Sequence, residues 1–255
     1  MPPAIDLLPY AVVMTPLTGS ETAKARFGAH AVLAFAAIFI AAVPFAVVVA
    51  LVTTSSGPLL RLDAGVANDL HRYAERHPGF ISAMRVISQL GSPAAWWLVL
   101  ASAFAWLLYR HLRRLAIFVA VTGIGSSLLN RAIKVTVDRT RPHLVDPIAT
   151  AAGKSFPSGH AQSAIVGCGI LLLVFLPIVH RQARPWLVAA LTLFVLLVGF
   201  SRIALGVHYF SDVIGAYLIG LAWLLALTAA FSAWRREDHN PSLPAGGDAR
   251  VAAPD

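Results

Sequence analysis

Long apolar runs separated by short polar segments form the main pattern of this chain. Six of the runs approach the ~20 residues that a helix needs to cross the hydrocarbon core of a bilayer. The pattern therefore predicts an all-α protein, a bundle of six transmembrane helices. The six predicted spans are Ala31–Val52, Pro93–Tyr109, Leu115–Ile133, Gly159–Val179, Pro185–Leu205 and Ser211–Ala233.

The segment 55–92, between the first two predicted spans, has a different pattern. Apolar side chains recur there at helical spacing, and charged side chains occupy positions between them. This alternation is typical of an amphipathic helix, which lies at the membrane interface or, alternatively, caps the helix bundle. The apolar positions are Leu59, Leu62, Val66, Ala67 and Leu70, and the charged ones are Arg61, Asp63, Asp69 and Arg72.

The chain is predicted to hold one membrane domain, because it contains no internal repeat and no second domain. Residues 1–28 are mixed and polar, lack the features of a cleavable signal peptide, and are expected to form a cytoplasmic segment. Residues 29–235 form the six-span domain. Residues 236–255 are rich in Pro, Gly, Ala and Asp, a composition that predicts a disordered tail.

The composition excludes an ordinary soluble domain. Apolar residues make up 58% of the chain and charged residues 13%, whereas about a quarter of residues are charged in soluble domains. The formal net charge of +8 does not indicate a nucleic-acid partner, because the basic residues lie in short clusters between apolar runs, as in membrane loops. The single cysteine, Cys168, excludes an internal disulfide and a cysteine metal site.

Two short loops indicate the orientation of the bundle. Residues 110–114 contain three arginines, residues 180–184 contain two, and neither loop contains an acid. With six spans, both loops share a side with the two termini, and the positive-inside rule places that side in the cytoplasm. We therefore expect a multi-pass protein of the plasma (inner) membrane whose opposite end faces the periplasm.

Three polar clusters interrupt the apolar pattern, at residues 134–142, 156–160 and 201–212. The first two clusters share one loop, and two spans separate the second cluster from the third. All three clusters therefore lie at the same membrane face, which the orientation above makes the extracytoplasmic face. Ionisable residues at membrane depth are expensive and usually functional, so the three clusters predict one site.

The cations of these clusters predict that the site binds phosphate. Lys134 and Arg141 are seven residues apart, so we expect them on one side of a helix that Pro142 ends. Arg202 supplies a third cation, and a guanidinium presents a fork of donors that matches phosphate oxygens. Two other residues of the first cluster, Arg139 and His143, have weaker claims to a role in the site.

A helix start and two histidines complete the predicted site. Ser158 is expected to cap a helix that begins at Gly159, where free N–H groups suit an anion and glycine permits close approach. His208 and Asp212 are four residues apart, so we expect them on one helical face. The carboxylate then fixes the tautomer and leaves the other ring nitrogen free to attack. His160 is the candidate that protonates a leaving oxygen.

We expect the site to work without a metal ion or any other cofactor. Metal-assisted phosphoryl transfer needs grouped carboxylates or histidines to hold the ion. Asp212 is the only acid in the predicted constellation, and its expected partner is His208. The charge of the phosphate must then be balanced by the cations of the site.

The three clusters resemble the signature of the type 2 phosphatidic acid phosphatase family, which shares its core with vanadium-dependent haloperoxidases. That signature consists of Lys, six residues and Arg-Pro; then Pro-Ser-Gly-His; then Ser-Arg, five residues, His, three residues and Asp. The resemblance extends over about residues 31–233, because the six-span plan matches as well. The matching residues are Lys134, Arg141, Pro142, Pro157, Ser158, Gly159, His160, Ser201, Arg202, His208 and Asp212.

The resemblance implies a membrane lipid phosphatase that forms a phosphohistidine intermediate. In that family's terms, His208 is the nucleophile, Asp212 orients it, and His160 is the general acid. Family substrates include phosphatidate, phosphatidylglycerophosphate and undecaprenyl diphosphate, among which the sequence does not choose. The residues implied to bind the phosphoryl oxygens are Lys134, Arg141, Ser158, Gly159 and Arg202.

Three other functions are compatible with parts of this pattern. A lipid phosphotransferase would use the same residues and pass the phosphoryl group to an acceptor other than water. A haloperoxidase is disfavoured, because those relatives resemble soluble proteins. A non-catalytic lipid-binding or transport bundle would keep the helices but lose the site, whereas every signature position is occupied here.

Overall fold

The computed structural model describes the backbone of residues 20–144 and 148–237, and within these ranges the side chains of residues 36 and 38–232. Regular structure in this part of the chain is helical, with no strand. Residues 1–19 of the predicted N-terminal segment and residues 238–255 of the predicted tail lie outside it. The helices are α1 (Ser20–Thr53), α2 (Gly57–Glu75), α3 (Pro78–Leu90), α4 (Pro93–Tyr109), α5 (Arg113–Val137), α6 (Gly159–Phe175), α7 (Arg184–Ala204) and α8 (Phe210–Glu237).

The predicted class, an α-helical membrane bundle, is confirmed. Within the described residues, five segments are long and apolar enough to cross a membrane, or six if one bent helix pair forms a single span. The segment that corresponds to the second predicted span is Pro78–Tyr109, so it begins earlier than the predicted Pro93. The reason is that only Gly91 and Ser92 separate α3 from α4.

The bent pair consists of the end of α1 and all of α2, which meet at an angle of 89°. The hydroxyls of Thr53 and Thr54 donate to the Ala50 carbonyl at 3.2 and 2.6 Å, and so satisfy the last turn of α1. Ser55 then takes a left-handed conformation with φ of 53°. Pro58 lies in the first turn of α2, where a missing N–H costs no helical hydrogen bond. The chain therefore turns sharply.

The position of α2 fits the alternative in which this amphipathic helix caps the bundle. Helix α2 packs against α7 and α8. Its buried side chains are Asp63, Ala67, His71 and Ala74, which recur at helical spacing. Asp63 belongs to the charged positions of the sequence pattern, yet it has 0% exposure. The face of α2 that meets the bundle is thus partly polar, and it carries an acid into the interior.

Helix α6 lies at the centre of the bundle and packs against α4, α5, α7 and α8. Glycine permits these close contacts: a Cβ on Gly167 would lie 2.1 Å from the Trp96 ring. Similarly, a Cβ on Gly199 of α7 would lie 2.0 Å from the Tyr217 hydroxyl. Small residues at helix crossings let backbones approach closely, which is how membrane helices gain packing energy. This packing fixes the start of α6.

Two backbone features bring the polar segments to one end of the bundle. Helix α5 ends because Asp138 adopts a left-handed conformation with φ of 52°. The turn between α7 and α8 contains Gly206 with φ of 72°, a conformation that glycine adopts without strain. As a result, the ends of α5 and α7 and the starts of α6 and α8 surround one polar region.

Candidate active site

The three polar clusters meet in this region, as the order of the spans predicted. Nη1 of Arg141 lies 3.1 Å from Nε2 of His208, which joins the first cluster to the third. The backbone N–H of Ser158 donates to the Asp212 carbonyl at 3.1 Å, which joins the second cluster to the third. The clusters therefore form one site.

His208 and Asp212 interact, but not on one helical face as predicted. Helix α8 begins at Phe210, so His208 precedes it. Asp212 Oδ2 lies 3.4 Å from His208 Nδ1 and accepts the backbone N–H of Tyr209 at 2.9 Å. The same oxygen accepts a hydrogen bond from Ser155. The carboxylate thus acts at the start of α8, where an acid also suits the helix dipole.

The contacts of the His208 ring determine its tautomer. The Arg141 guanidinium can only donate, so the Nε2 atom that faces it at 3.1 Å must accept. Nδ1 then carries the proton and faces Asp212. Burial lowers the pKa of His208 to about 4, against the opposing influence of Asp212. The ring is therefore neutral at pH 7, with its lone pair on Nε2.

Arg141 lies in the loop after α5, so the prediction that it shares a helix with Lys134 is wrong. The left-handed Asp138 ends the helix before Arg141 is reached. The two cations meet because both donate to the Lys154 carbonyl, at 2.8 Å from Lys134 and 3.3 Å from Arg141. Arg141 also donates to the carbonyl of Val207 at 2.7 Å. Backbone carbonyls thus hold these side chains beside His208.

Two buried donors of the site have no hydrogen-bond partner among the described residues. Ser158 is the N-cap residue of α6, as predicted, but its side chain makes no cap hydrogen bond. Its Oγ is buried and unpartnered, and so is Nε of Arg202, whose Nη1 donates to Ser88. Buried donors without partners are rare in proteins, and each needs an explanation. Both residues are in the predicted phosphate-binding set.

The start of α6, next to Ser158, is loosely packed. A Cβ on Gly159 would meet only the Asn130 Oδ1 atom, at 3.7 Å, so the protein's own packing does not require glycine there. His160, the next residue, is half-buried, and its side chain makes no hydrogen bond or ion pair with any residue described. It lies close enough to Arg202, His208 and Arg141 to be affected by their charges.

Sequence reasoning missed a second layer of buried charge behind Asp212. Arg139 donates to Asp212 Oδ1 and to Asp63 Oδ2, at 2.7 Å each. It also donates to Ser211 at 2.7 Å, and its guanidinium lies 4.3 Å from the centre of the Tyr209 ring. Burial lowers the pKa of Arg139, but the two carboxylates outweigh burial and raise it. The available signal was the spacing of residues 63, 67, 71 and 74, which places Asp63 on the buried face of α2.

The carboxylates of the site are engaged by cations and hydroxyls. Within the ranges described, no group of three or more His, Cys, Asp or Glu side chains is arranged to hold a metal ion. His143, the other residue with a weaker claim, is exposed in the loop after α5. The arrangement combines a neutral imidazole, several cations and unpartnered donors, which is suited to attack on a bound anion.

Comparisons with known proteins give a consistent result. A family model described as the PAP2 superfamily matches residues 111–236. The chain is 35% identical over 97 residues to phosphatidylglycerophosphatase B of Bacillus subtilis, and it spans 47% of that protein, slightly less than half. It is 34% identical over 143 residues to decaprenylphosphoryl-5-phosphoribose phosphatase of Mycolicibacterium smegmatis, and this match covers 54% of the chain and 71% of the relative.

A solved structure has the same fold. It is the crystal structure of a transmembrane PAP2-type phosphatidylglycerolphosphate phosphatase from Bacillus subtilis, with a TM-score of 0.68 and 23% sequence identity. The match covers 77% of this chain and 96% of the other. The helical arrangement described above is therefore that of a known membrane fold.

Proposed function

Because the chain belongs to the PAP2 superfamily, we propose that it is a membrane lipid phosphatase that removes a phosphate group through a phosphohistidine intermediate. The observation that carries this proposal is the unpartnered pair Ser158 Oγ and Arg202 Nε. These donors belong to the same region as the start of α6 and His208, whose Nε2 atom accepts from Arg141 at 3.1 Å. A phosphate group has oxygens enough to bond such donors while its phosphorus faces the imidazole.

In the first step, Nε2 of His208 attacks phosphorus, an N–P bond forms, and the P–O bond to the lipid breaks. The Nδ1 proton stays on the ring and strengthens its bond to Asp212 as positive charge develops there. His160 donates a proton to the departing oxygen. The negative charges of a bound phosphate favour the protonated form of His160 before this step.

In the second step, water attacks the phosphohistidine, and the N–P bond breaks. His160, now neutral, takes a proton from the water, so the same residue acts as acid and then as base. His208 returns to its neutral form and inorganic phosphate leaves. Lys134, Arg141 and Arg202 balance the charge of the phosphoryl oxygens, which is the function a metal ion has in other phosphatases.

The substrate we propose is a phosphorylated lipid in the outer leaflet of the plasma membrane. Relatives are named for phosphatidylglycerophosphate, decaprenylphosphoryl-phosphoribose and undecaprenyl diphosphate. These compounds share a phosphate group at the end of a lipid anchor, and a site at one end of a helix bundle can reach such a group from the membrane. The basic loops 110–114 and 180–184 support an extracytoplasmic site.

Phosphate release from a panel of lipids tests the activity. The purified protein is given phosphatidate, phosphatidylglycerophosphate and undecaprenyl diphosphate, with and without a chelator, and His208→Ala is the control. We expect inorganic phosphate from at least one lipid, no effect of the chelator, and inhibition by vanadate. A phosphoryl group recovered on an alcohol acceptor would instead indicate a phosphotransferase. Binding without turnover by the wild type would indicate the non-catalytic alternative.

Cysteine labelling tests the orientation. In a Cys168→Ala background, Thr150→Cys lies in the loop of the site and Gln182→Cys lies in the loop between α6 and α7, and both positions are exposed. An impermeant thiol reagent applied to intact cells should label Thr150→Cys and leave Gln182→Cys unlabelled until the cells are opened. The reverse pattern would mean a site that faces the cytoplasm.

A further inference from the structure

The charged cluster behind Asp212 connects three separate parts of the chain. Asp63 comes from α2, Arg139 from the segment after α5, and Asp212 from α8. The side chains of both acids have 0% exposure and that of Arg139 has 9%. Asp63 also accepts the backbone N–H and the hydroxyl of Ser211, at 2.9 and 2.5 Å. Each charge therefore has fixed partners in a region that excludes water.

The carboxylates of this cluster outnumber its guanidinium, while Arg141 and Lys134 add positive charge near the His208 ring. Two carboxylates share one guanidinium, which gives a net charge of about −1 before His208 is considered. The imidazole of His208 is neutral at rest and carries positive charge once phosphorylated. The negative charge of the two carboxylates stabilises the positive charge that the ring carries in the phosphohistidine. The cluster thus favours the charged intermediate.

A second ion pair on the same helix shows what an incidental pair looks like. Asp69 and Arg72 lie on α2, three residues apart, and their side chains are 70% and 69% exposed. Such an exposed pair contributes little, because water screens it. The Asp63–Arg139 pair differs in its burial and in its direct bond to the carboxylate that faces His208.

We infer that Asp63 and Arg139 are positioning residues of the active site, which hold Asp212 against His208 and set the net charge behind it. Helix α2 is then part of the catalytic unit as well as a cap on the bundle. The inference rests on the proposed function, since it assigns these residues a role in the same reaction.

Opposite charges on the two residues give the inference a distinctive consequence. Asp212 from α8 and Arg141 from the loop contact the His208 ring. Lys134 from α5 and His160 from α6 lie close enough for their charges to interact with it. Asp63 and Arg139 act from behind Asp212. Removing the negative charge in Asp63→Asn makes protonation of His208 harder. Removing the positive charge in Arg139→Gln makes protonation easier.

The experiment is a comparison of kcat/KM against pH for the wild type, Asp63→Asn, Arg139→Gln and their double variant. We expect each single variant to lose about 10- to 100-fold at pH 7, the effect of one hydrogen bond to a buried charge. The acidic arm of the profile should move to lower pH in Asp63→Asn and to higher pH in Arg139→Gln. The double variant should return the arm toward the wild-type position. Asp69→Asn is the matched control and should match the wild type.

Several results would overturn the inference. Shifts in the same direction, or equal losses with an unmoved acidic arm, would mean that the cluster serves the fold alone. Wild-type behaviour of Asp63→Asn would do the same. If Arg139→Gln does not fold, Arg139→Lys replaces it: the retained charge should leave the arm in place while the altered geometry lowers the rate.

A direct readout separates this inference from the proposed function. The ring nitrogen chemical shifts of isotopically labelled His208 report its protonation in detergent micelles without any substrate. Opposite displacements in the two variants would support the inference even in a protein that hydrolyses none of the lipids tried. Conversely, if the wild type releases phosphate and His208→Ala does not, unchanged titration in both variants would refute the inference and leave the phosphatase function standing.

Discussion

The two histidines of the site differ in how the protein surrounds them. His208 is 2% exposed and has a partner on each ring nitrogen, Arg141 on one side and Asp212 on the other. His160 is half-buried and lacks a hydrogen-bond partner in the described part of the chain. Of the unpartnered donors, Ser158 Oγ belongs to the residue two positions before His160, and Arg202 lies close enough for its charge to affect His160.

This difference indicates a division of labour within the site. In the proposed mechanism, His208 is held in its reactive tautomer before a substrate arrives, which reduces the reorganisation needed in the reaction. The donors proposed to bind phosphate are instead left without partners, at a cost of about 1–3 kcal/mol for each buried unsatisfied group. A ligand can regain that free energy on binding. Substitutions on the two sides should therefore have different consequences.

The largest effect is expected for the nucleophile itself. If His208 forms the covalent intermediate, no substrate bypasses it, whatever its leaving group. His208→Ala should lower kcat/KM by about 10⁴-fold or more on alkyl phosphates, diphosphates and nitrophenyl phosphate alike. Phosphate release measured on all three substrates checks this. Substantial activity of the variant on any of them would exclude the covalent mechanism.

The general acid should matter in proportion to the leaving group's need for a proton. An alkoxide leaves poorly, whereas nitrophenolate is stable as an anion. His160→Ala should therefore lose about 10²- to 10⁴-fold on a phosphatidate-like lipid and less than about tenfold on nitrophenyl phosphate. First-turnover rates are the measurement of choice, because breakdown of the phosphoenzyme can limit later turnovers. Equal losses on both substrates would contradict the assignment of His160.

Two serines allow the surroundings of His208 to be tested separately from the donors that are proposed to bind phosphate. Ser155 donates to Asp212, whereas the Ser158 hydroxyl is buried without a partner. Ser158→Ala should lower kcat/KM by about 10- to 100-fold while the melting temperature stays the same or rises, because no bond is lost. Ser155→Ala should lower the melting temperature by roughly 3–10 °C. A lower melting temperature in Ser158→Ala would show that the Ser158 hydroxyl already has a hydrogen-bond partner in the substrate-free protein.

The bundle and the meeting of its three polar clusters were predictable from the sequence, because both depend on long-range pattern. Apolar runs of spanning length fix how often the chain crosses the membrane. The order of those crossings then fixes which clusters share a face, so Lys134, His160 and His208 could be assigned to one site before any geometry was known.

Local backbone geometry was harder to predict. Helical spacing suggested that Lys134 and Arg141 share a helix, but a single left-handed residue, Asp138, ends α5 between them. The same reasoning placed His208 inside a helix that in fact begins at Phe210. Pairs four or seven residues apart meet in a helix, but they can also meet through a turn or a shared carbonyl, and spacing does not distinguish these arrangements.

Asp63 was missed for a related reason. An amphipathic pattern assigns charged residues to the outer face of a helix, and a buried acid contradicts that rule unless its partner is known. That partner, Arg139, lies 76 residues away along the chain. Single-sequence patterns carry no information on such a pairing.

The smallest predicted effect is the stability that the folded protein loses at low pH because His208 is buried. Burial keeps the pKa of His208 at about 4 in the folded protein, whereas an unfolded histidine titrates near 6.5. Below pH ~6.5 the unfolded chain therefore binds a proton that the folded chain does not, and the folded state loses stability as the pH falls toward 4. Above that window the term vanishes. The loss at pH ~5.5 corresponds to roughly 3–6 °C in melting temperature.

His208→Gln removes this titration and keeps a polar side chain of similar reach. Melting temperatures of the wild type and the variant, measured in detergent between pH 4.5 and 7.5 (about the range in which histidines titrate), should approach each other or cross as the pH falls. The difference between the two melting temperatures is the quantity to compare, because all other titratable groups are present in both proteins. His143→Gln, at an exposed histidine in the loop after α5, is the matched control. A wild-type minus His208→Gln difference that is constant with pH would mean that His208 is protonated as readily in the fold as in the unfolded chain, and the neutral nucleophile would have to be abandoned.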